Sequence, residues 1–180
     1  MVSLPADPDC YWVESGLLLA GEYPGSMNQE IALSKLRALL DCGVRTFIDL
    51  TEHDELRSYD EALFAEAEAR GVTVSYQRKS IQDLGTPSAF RMRDILGTIK
   101  ASVERGDPVY VHCWGGIGRT GTVIGCWLTE RGQANDDAIA AIAALRKGIR
   151  KSGTPSPETI EQMAFVREWP APRIPNGGSL

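Results

Sequence analysis

Apolar residues along this chain follow two spacings, and each spacing predicts a different kind of element. Short apolar runs between turn residues predict strands at residues 11–13, 17–20, 44–50, 72–77 and 109–111. Apolar residues that recur every three or four positions predict helices at residues 28–40, 59–70, 87–105, 118–131, 136–147 and 157–169. The first two strands are close enough in sequence to form a hairpin, and the later strands alternate with helices.

Turn and capping residues mark the ends of these elements. Cys42-Gly43 ends the first helix, Asn135 is predicted to cap the fifth, and Pro157 is predicted to open the last. Strands that alternate with helices predict an α/β fold, a single domain with a mainly parallel central β-sheet flanked by helices. The length of 180 residues is typical of one domain. We predict that this domain spans residues 1–170 and that residues 171–180 form a flexible C-terminal tail.

Composition and charge exclude several classes of function. Hydrophobic residues make up 43% of the chain and charged residues 24%, which is typical of a soluble globular protein. A net charge of -5 disfavours a nucleic-acid partner, because binding to a phosphate backbone depends on accumulated Lys and Arg. The sequence has neither a secretory signal pattern nor an apolar run of the roughly 20 residues that span a bilayer. We therefore expect a cytoplasmic protein with no membrane partner.

Cysteine and histidine usage argues against structural metal sites and disulfides. The cysteines at positions 10, 42, 113 and 126 are widely spaced and form no CxxC pair. The histidines, His53 and His112, are too few for a His-rich metal centre. We expect reduced thiols and no metal.

A cysteine and an arginine bracket a glycine-rich loop directly after the last predicted strand. Residues 112–121 are HCWGGIGRTG, so Cys113 ends the strand and Arg119 opens the next helix. Glycines let successive backbone N–H groups point at one spot, and the positive end of the helix faces the same spot. These groups favour a phosphate dianion and a cysteine thiolate there, and a guanidinium can bind two phosphate oxygens at once.

A cysteine, five residues and an arginine, preceded by His112 and followed by Thr120 and Gly121, resemble the signature loop of the protein tyrosine phosphatases. The resemblance implies that Cys113 is the nucleophile of a phosphomonoester hydrolase and forms a phosphocysteine intermediate. It implies that Thr120 stabilises the departing thiolate, and it implies no cofactor. By this resemblance the phosphate is bound by Arg119 and by the loop residues Trp114, Gly115, Gly116, Ile117 and Gly118. His112 is expected to fix the loop through hydrogen bonds, and Trp114 either stacks at the pocket mouth or packs under the loop.

A proton donor is needed to expel the leaving oxygen, and Asp83 is the predicted acid. The stretch IQDLGTPS, residues 81–88, resembles the acid loop of the smaller, dual-specificity-like phosphatases, in which an Asp precedes a helix opened by Pro or Ser. Four other carboxylates, those of Asp49, Glu52, Asp54 and Glu55, could face the pocket, but we interpret them as caps and solvated turn charges.

The C-terminal segment PETIEQM, residues 157–163, resembles the Gln-Thr-x-x-Gln pattern that positions the hydrolytic water in tyrosine phosphatases. Thr159 and Gln162 match this pattern, which makes Gln162 a candidate for positioning water. Glu158 replaces the first Gln, and this departure leaves the role open.

The expected substrate is a phosphorylated protein or a small phosphate ester. The short chain and the absence of a Lys-Asn-Arg-Tyr segment favour a shallow, dual-specificity-like site, and the absence of lysine from the signature loop disfavours a highly charged inositol lipid. Two other classes stay open: a phosphoprotein-binding module without turnover, and a sulfur-transfer or arsenate-reducing enzyme in which Cys42 or Cys126 would be a partner thiol.

Overall fold

The computed structural model describes residues 9–170. Its strands are β1 (Cys10–Glu14), β2 (Leu18–Gly21), β3 (Thr46–Asp49), β4 (Ser75–Arg78) and β5 (Val109–His112). Its helices are α1 (Gln29–Asp41), α2 (Asp60–Ala69), α3 (Ala89–Glu104), α4 (Gly118–Glu130), α5 (Asn135–Leu145) and α6 (Ile160–Glu168).

The strands form one five-stranded sheet in the order β1-β2-β5-β3-β4. β1 and β2 pair in the antiparallel direction, as expected for the hairpin, and every other pair is parallel. The prediction of an α/β domain with a mainly parallel sheet is therefore confirmed. β5 lies in the centre, between β2 and β3, so the strand that precedes Cys113 is supported on both edges.

Alternation along β5 divides the interior into two cores. Val109 and Val111 pack into the core beneath α3, α4, α5 and α6. Tyr110 packs on the other side, into the core that includes side chains of α1 and α2. A central parallel strand must be buried on both faces, which is why VYVH shows an apolar run in place of a polar alternation.

The ends of several elements differ from the sequence predictions. Asn135 is the first residue of α5 and not its cap, because its side chain donates instead to the carbonyls of Val166 and Trp169 at the end of α6. α6 begins at Ile160 and not at Pro157, because Thr159 and Gln162 form a capping box at its N-terminus.

The strands β3 and β4 are also shorter than the apolar runs that predicted them. They cover Thr46–Asp49 and Ser75–Arg78, where predictions spanned residues 44–50 and 72–77. Between residues 9 and 170, no helix has the length and apolar character needed to cross a membrane. The predicted tail at residues 171–180 lies outside the described residues, and the domain boundary at residue 170 stays a prediction.

The close packing of α4 against α6 generates a stability prediction. A Cβ on Gly125 of α4 would lie 2.7 Å and 2.8 Å from the two γ-methyl carbons of Val166. We expect Gly125→Ala to lower the free energy of unfolding by about 1–3 kcal/mol through overpacking, measured by urea denaturation. Gly97 on α3 is the matched control, because it is exposed and a Cβ there would have no neighbour within 4 Å. Gly97→Ala should raise stability by about 0.5–1 kcal/mol; equal effects of the two substitutions would contradict the packing argument.

Candidate active site

The candidate site lies at the carboxyl end of the parallel strands. His112, the last residue of β5, pairs in register with Gly21 of β2 and with Asp49 of β3. The chain leaves all three strands at the same edge of the sheet, which is where open α/β sheets commonly bind ligands. Cys113 follows directly and is only 3% exposed.

Three contacts hold the loop between Cys113 and α4. Gly116 has φ of +69°, and a Cβ there would lie 2.5 Å from the carbonyl carbon of Gly21, so only glycine fits against β2. The backbone N–H of Tyr23 donates to the Trp114 carbonyl over 2.9 Å. The Ser156 hydroxyl donates to the Ile117 carbonyl over 2.8 Å. The loop is therefore fixed from β2 on one side and from the segment before α6 on the other.

A pocket of about 200 Å³ opens over this loop. Its lining combines loop residues with side chains from two other segments: Asp83, Leu84, Cys113, Trp114, Gly115, Ile117, Gly118, Arg119, Glu158 and Gln162. Almost all the predicted site residues thus meet in one cavity, and a small anion such as phosphate matches its size. Gly116 and Thr120 support the loop without lining the pocket.

Arg119 is held at this pocket by a two-pronged ion pair with Glu55. The guanidinium NH1 and NH2 groups donate to the two carboxylate oxygens of Glu55 over 2.7 Å and 2.6 Å. The Arg119 side chain is 2% exposed. Burial alone would lower the pKa of Arg119, but the hydrogen bonds and charge of Glu55, with Cys113 and Asp83 nearby, raise it overall. The same hydrogen bonds lower the pKa of Glu55. Both groups are therefore charged at neutral pH.

The prediction that Glu55 is a solvated turn charge is wrong, because its carboxylate is hydrogen-bonded to Arg119. Asp49 is corrected too: it is fully buried and accepts hydrogen bonds from Thr51 and from the Tyr76 hydroxyl. Burial raises the pKa of Asp49, but these hydrogen bonds lower it overall. Asp54, by contrast, is the exposed turn residue that was expected.

Asp83 reaches the site from the loop after β4. One carboxylate oxygen lies 3.0 Å from NH2 of Arg119, and the side chain is 53% exposed. The backbone N–H of Asp83 donates to the Glu52 carboxylate over 3.2 Å. Asp83 can therefore contact both the guanidinium and solvent, as a group that exchanges protons requires.

His112 anchors the loop from below through two hydrogen bonds. Its Nδ1 lies 3.1 Å from the Cys113 carbonyl, and its Nε2 lies 2.6 Å from the Tyr59 hydroxyl. A carbonyl can only accept, so Nδ1 carries the proton and Nε2 accepts from Tyr59. Burial lowers the pKa of His112, which favours this neutral tautomer. The expectation that His112 fixes the loop by hydrogen bonding is thus met geometrically.

Gln162 connects the C-terminal segment to the loop that carries Asp83. Its side-chain oxygen accepts from the N–H groups of Glu158 and Thr159, and its Nε2 donates to the Gly85 carbonyl over 3.0 Å. Glu158 itself lines the pocket, and its carboxylate would lie 2.9 Å from a Cβ on Gly118. Two carboxylates, those of Asp83 and Glu158, therefore line the cavity.

The remaining candidates have distinct surroundings. The Thr120 hydroxyl is buried and has no hydrogen-bond partner among the described residues. Trp114 is 62% exposed, so it stands at the pocket mouth and does not pack under the loop. Cys126 is fully buried, and burial raises the pKa of its thiol. Within residues 9–170, no cluster of three or more His, Cys, Asp or Glu side chains could hold a metal ion.

Three residues support the site although the sequence predicts no such role for them: Glu55, Tyr59 and Ser156. Each lies on a segment far in sequence from Cys113, and none belongs to the signature pattern. Tyr59 was assigned to a helix start and Ser156 to a loop, positions that need no special role. Only the pairing of β3 with β5 and the packing of α6 on α4 bring these side chains to the loop.

Comparison with known proteins identifies a family whose pattern this chain matches. A family described as "Polymorphic toxin system, DSP-PTPase phosphatase" matches residues 22–133, more than half of the chain. The solved structure of Tk-PTP in its active form is 28% identical, with a TM-score of 0.68 over 91% of this chain and 97% of that one. Kinase associated phosphatase shares the fold, with a TM-score of 0.67 at 22% identity over 84% of each chain.

Curated relatives are longer than the region they share with this chain. An uncharacterised protein of Methanocaldococcus jannaschii is 36% identical over 94 residues, which cover 52% of this chain and 58% of that protein. Protein tyrosine phosphatase domain-containing protein 1 of Mus musculus is 25% identical over 166 residues, which cover 88% of this chain and 21% of that protein. The chain thus spans little more than half of the first relative and about a fifth of the second.

The buried neutral His112 generates a pH prediction. Burial lowers its folded-state pKa below 6.5, so the unfolded chain binds the proton more readily. The stabilisation that comes from keeping His112 neutral is complete above the unfolded-state pKa, and it is lost as the pH falls from that value through the folded-state pKa. We expect the free energy of unfolding to fall by up to about 1.4 kcal/mol per pH unit between about pH 6.5 and pH 5, measured by urea denaturation.

His53 provides the control, because its side chain is 85% exposed. A His53→Gln variant should lose stability with the same slope as the wild type. A flat profile over this interval would show that His112 can be protonated in the folded protein without cost.

Proposed function

This chain belongs to the DSP-PTPase phosphatase family, within the protein tyrosine phosphatase superfamily, and from that membership we propose that it is a cysteine-dependent phosphomonoester hydrolase. The observation that carries the proposal is the shared pocket of Cys113, Arg119 and Asp83. A nucleophile, a phosphate-binding cation and a proton donor are the groups that hydrolysis through a covalent intermediate requires.

In the first step, the Cys113 thiolate attacks phosphorus in line with the leaving oxygen. The S–P bond forms and the P–O bond to the leaving group breaks, while Asp83 transfers its proton to the departing oxygen. The loop N–H groups of residues 114–118 and the guanidinium of Arg119 hold the three equatorial oxygens. Glu55 supports this step indirectly, because its two hydrogen bonds fix the plane of the guanidinium.

In the second step, water releases phosphate from the phosphocysteine. Asp83, now ionised, accepts a proton from the water as its oxygen bonds to phosphorus and the S–P bond breaks. The Thr120 hydroxyl, buried without another partner among the described residues, can then donate to the departing thiolate. Gln162 lines the pocket and is the candidate for positioning the water, with Glu158 beside it.

The charge of the pocket supports a substrate with a single phosphate group. Arg119 is the one cation in the pocket lining that the structure describes, and Asp83 and Glu158 add negative charge. A multiply phosphorylated inositol lipid would meet two carboxylates and only one guanidinium. We therefore favour phosphotyrosine or another phosphorylated side chain of a protein, and a small phosphate monoester is the alternative.

The nucleophile also bears on where the protein acts. A thiolate nucleophile is lost on oxidation and persists in reducing compartments. We propose a cytoplasmic location on this ground. Cys126 is not favoured as a partner thiol for arsenate or sulfur-transfer chemistry, because burial raises the pKa of its thiol and disfavours the reactive thiolate.

Turnover of p-nitrophenyl phosphate and phosphotyrosine peptides, in EDTA and reductant, tests the assignment of Cys113 and Arg119. Cys113→Ser should abolish turnover, because a hydroxyl is a far weaker nucleophile at neutral pH. Arg119→Lys keeps the charge and loses the two-pronged geometry, so kcat should fall by about 10²–10³-fold. A wild-type protein that binds phosphopeptides and hydrolyses no phosphate ester would instead be a binding module.

The two pocket carboxylates can be separated by matched substitutions. Asp83→Asn should lower kcat by about 10²–10⁴-fold, because the amide cannot donate a proton to the leaving oxygen. Glu158→Gln introduces the residue that the Gln-Thr-x-x-Gln pattern expects and should change kcat by less than about fivefold.

The basic limb of the kcat/KM profile should persist in Glu158→Gln and disappear in Asp83→Asn, because a general acid must be protonated to act. The reverse result, with the large loss in Glu158→Gln, would assign the acid–base role to Glu158.

A further inference from the structure

The rim of the catalytic pocket continues into two neighbouring cavities. A cavity of about 200 Å³ lies on the other side of Trp114 and includes Tyr23, Met27, Leu56 and Arg57 in its lining. A larger cavity of about 360 Å³ follows and shares Arg57 with the second one. Because neighbouring cavities have lining residues in common, they form one furrow that leads away from Cys113. We call it the Trp114–Arg57 furrow.

Apolar side chains stand exposed where this furrow meets the catalytic pocket. Met27 is 82% exposed and Trp114 is 62% exposed, and both line the middle cavity. Single exposed apolar residues are common on protein surfaces, but two that line one cavity beside a catalytic pocket form a surface that can bind an apolar group. The near part of the furrow therefore suits an apolar side chain.

A cation stands farther along the same furrow. Arg57 is exposed and lines both outer cavities, and the described part of the chain offers it no hydrogen bond or ion pair. By contrast, Arg78 forms an ion pair with Asp49, and Lys79 forms one with Asp94. Neither of these cations is therefore unpaired, as Arg57 is among the described residues. Glu61 also lines the outermost cavity, so an acidic side chain of a bound ligand would be favoured only in the part of the cavity beside Arg57.

We infer that the Trp114–Arg57 furrow binds an extended polypeptide on one side of the phosphorylated residue. An apolar side chain next to that residue would contact Trp114 and Met27, and an acidic side chain farther along would pair with Arg57. A small phosphate ester would fill the catalytic pocket alone and leave the furrow unused. The inference rests on the proposed phosphatase function, and it specifies the substrate as a phosphorylated protein segment.

A phosphotyrosine peptide array tests this inference, with single substitutions on both sides of the phosphorylated residue and p-nitrophenyl phosphate as the small reference ester. We expect the wild type to prefer an apolar residue nearest the phosphotyrosine and an acidic residue beyond it, on one side only. The apolar preference should be about tenfold in kcat/KM and the acidic preference about threefold.

Two substitutions assign these preferences to the furrow. Met27→Ser should remove the apolar preference and leave the acidic one, and Arg57→Glu should turn the acidic preference into a basic one. Both variants should hydrolyse p-nitrophenyl phosphate at the wild-type rate. Phe64→Ser and Lys100→Glu change exposed residues of α2 and α3 in the same way and should leave the peptide preferences unchanged.

Three results would overturn the inference. The first is hydrolysis of all peptides with equal kcat/KM, and the second is a set of preferences that Met27→Ser and Arg57→Glu do not alter. The third is a dimer that Met27→Ser dissociates, because the furrow would then bind a second copy of this chain. Binding of the same array to Cys113→Ser is measured in parallel, so failure of turnover alone contradicts the phosphatase proposal while the furrow preferences are still scored.

Discussion

The ion pair between Arg119 and Glu55 is the interaction on which the arrangement of the site depends. Arg119 lies in the first turn of α4, Glu55 lies in the loop after β3, and the two groups meet where both are largely shielded from solvent. Removing charged groups from water costs free energy, and a pair recovers it only when its geometry is good, as the two short hydrogen bonds here provide. The pair therefore holds the β3–α2 loop against the N-terminus of α4. Asp83 approaches the same guanidinium from a third segment, so one cation gathers three parts of the chain around Cys113.

Most of the fold could be predicted from local sequence patterns, because a parallel sheet requires strong patterns of apolar residues in its strands and in the helices that cover it. Central strands such as VYVH must be apolar on both faces, and helices that cover the sheet must present apolar residues every three or four positions. Element ends were less predictable, because they depend on contacts made after folding. Asn135 resembles a cap in sequence, yet its side chain hydrogen-bonds the end of α6, a helix more than twenty residues away in the chain.

The signature loop could be predicted from the sequence because its parts are contiguous: a cysteine, glycines, a helix start and an arginine lie within ten residues. The supporting residues are dispersed, and their roles arise from distance in space alone. Glu55 differs in no sequence property from Glu52 or Asp54, which flank the same turn. Asp49 looked like an ordinary strand-end carboxylate, whereas burial and a shell of hydroxyl donors make it part of the interior. The local sequence pattern thus identifies the candidate reacting groups, and the tertiary structure identifies the groups that hold them in place.

The central place of β5 in the sheet has a consequence for how the protein is made. Before β5 is added, β1 with β2 and β3 with β4 can form only two separate two-stranded pieces. β5 joins them, pairing residues about ninety positions apart in the chain, and contacts of such long range form slowly during folding. The strand that completes the sheet is the one that leads directly into Cys113, the proposed nucleophile. A nascent or partly folded chain therefore has a cysteine but no reactive pocket, and the appearance of the site coincides with the completion of the fold.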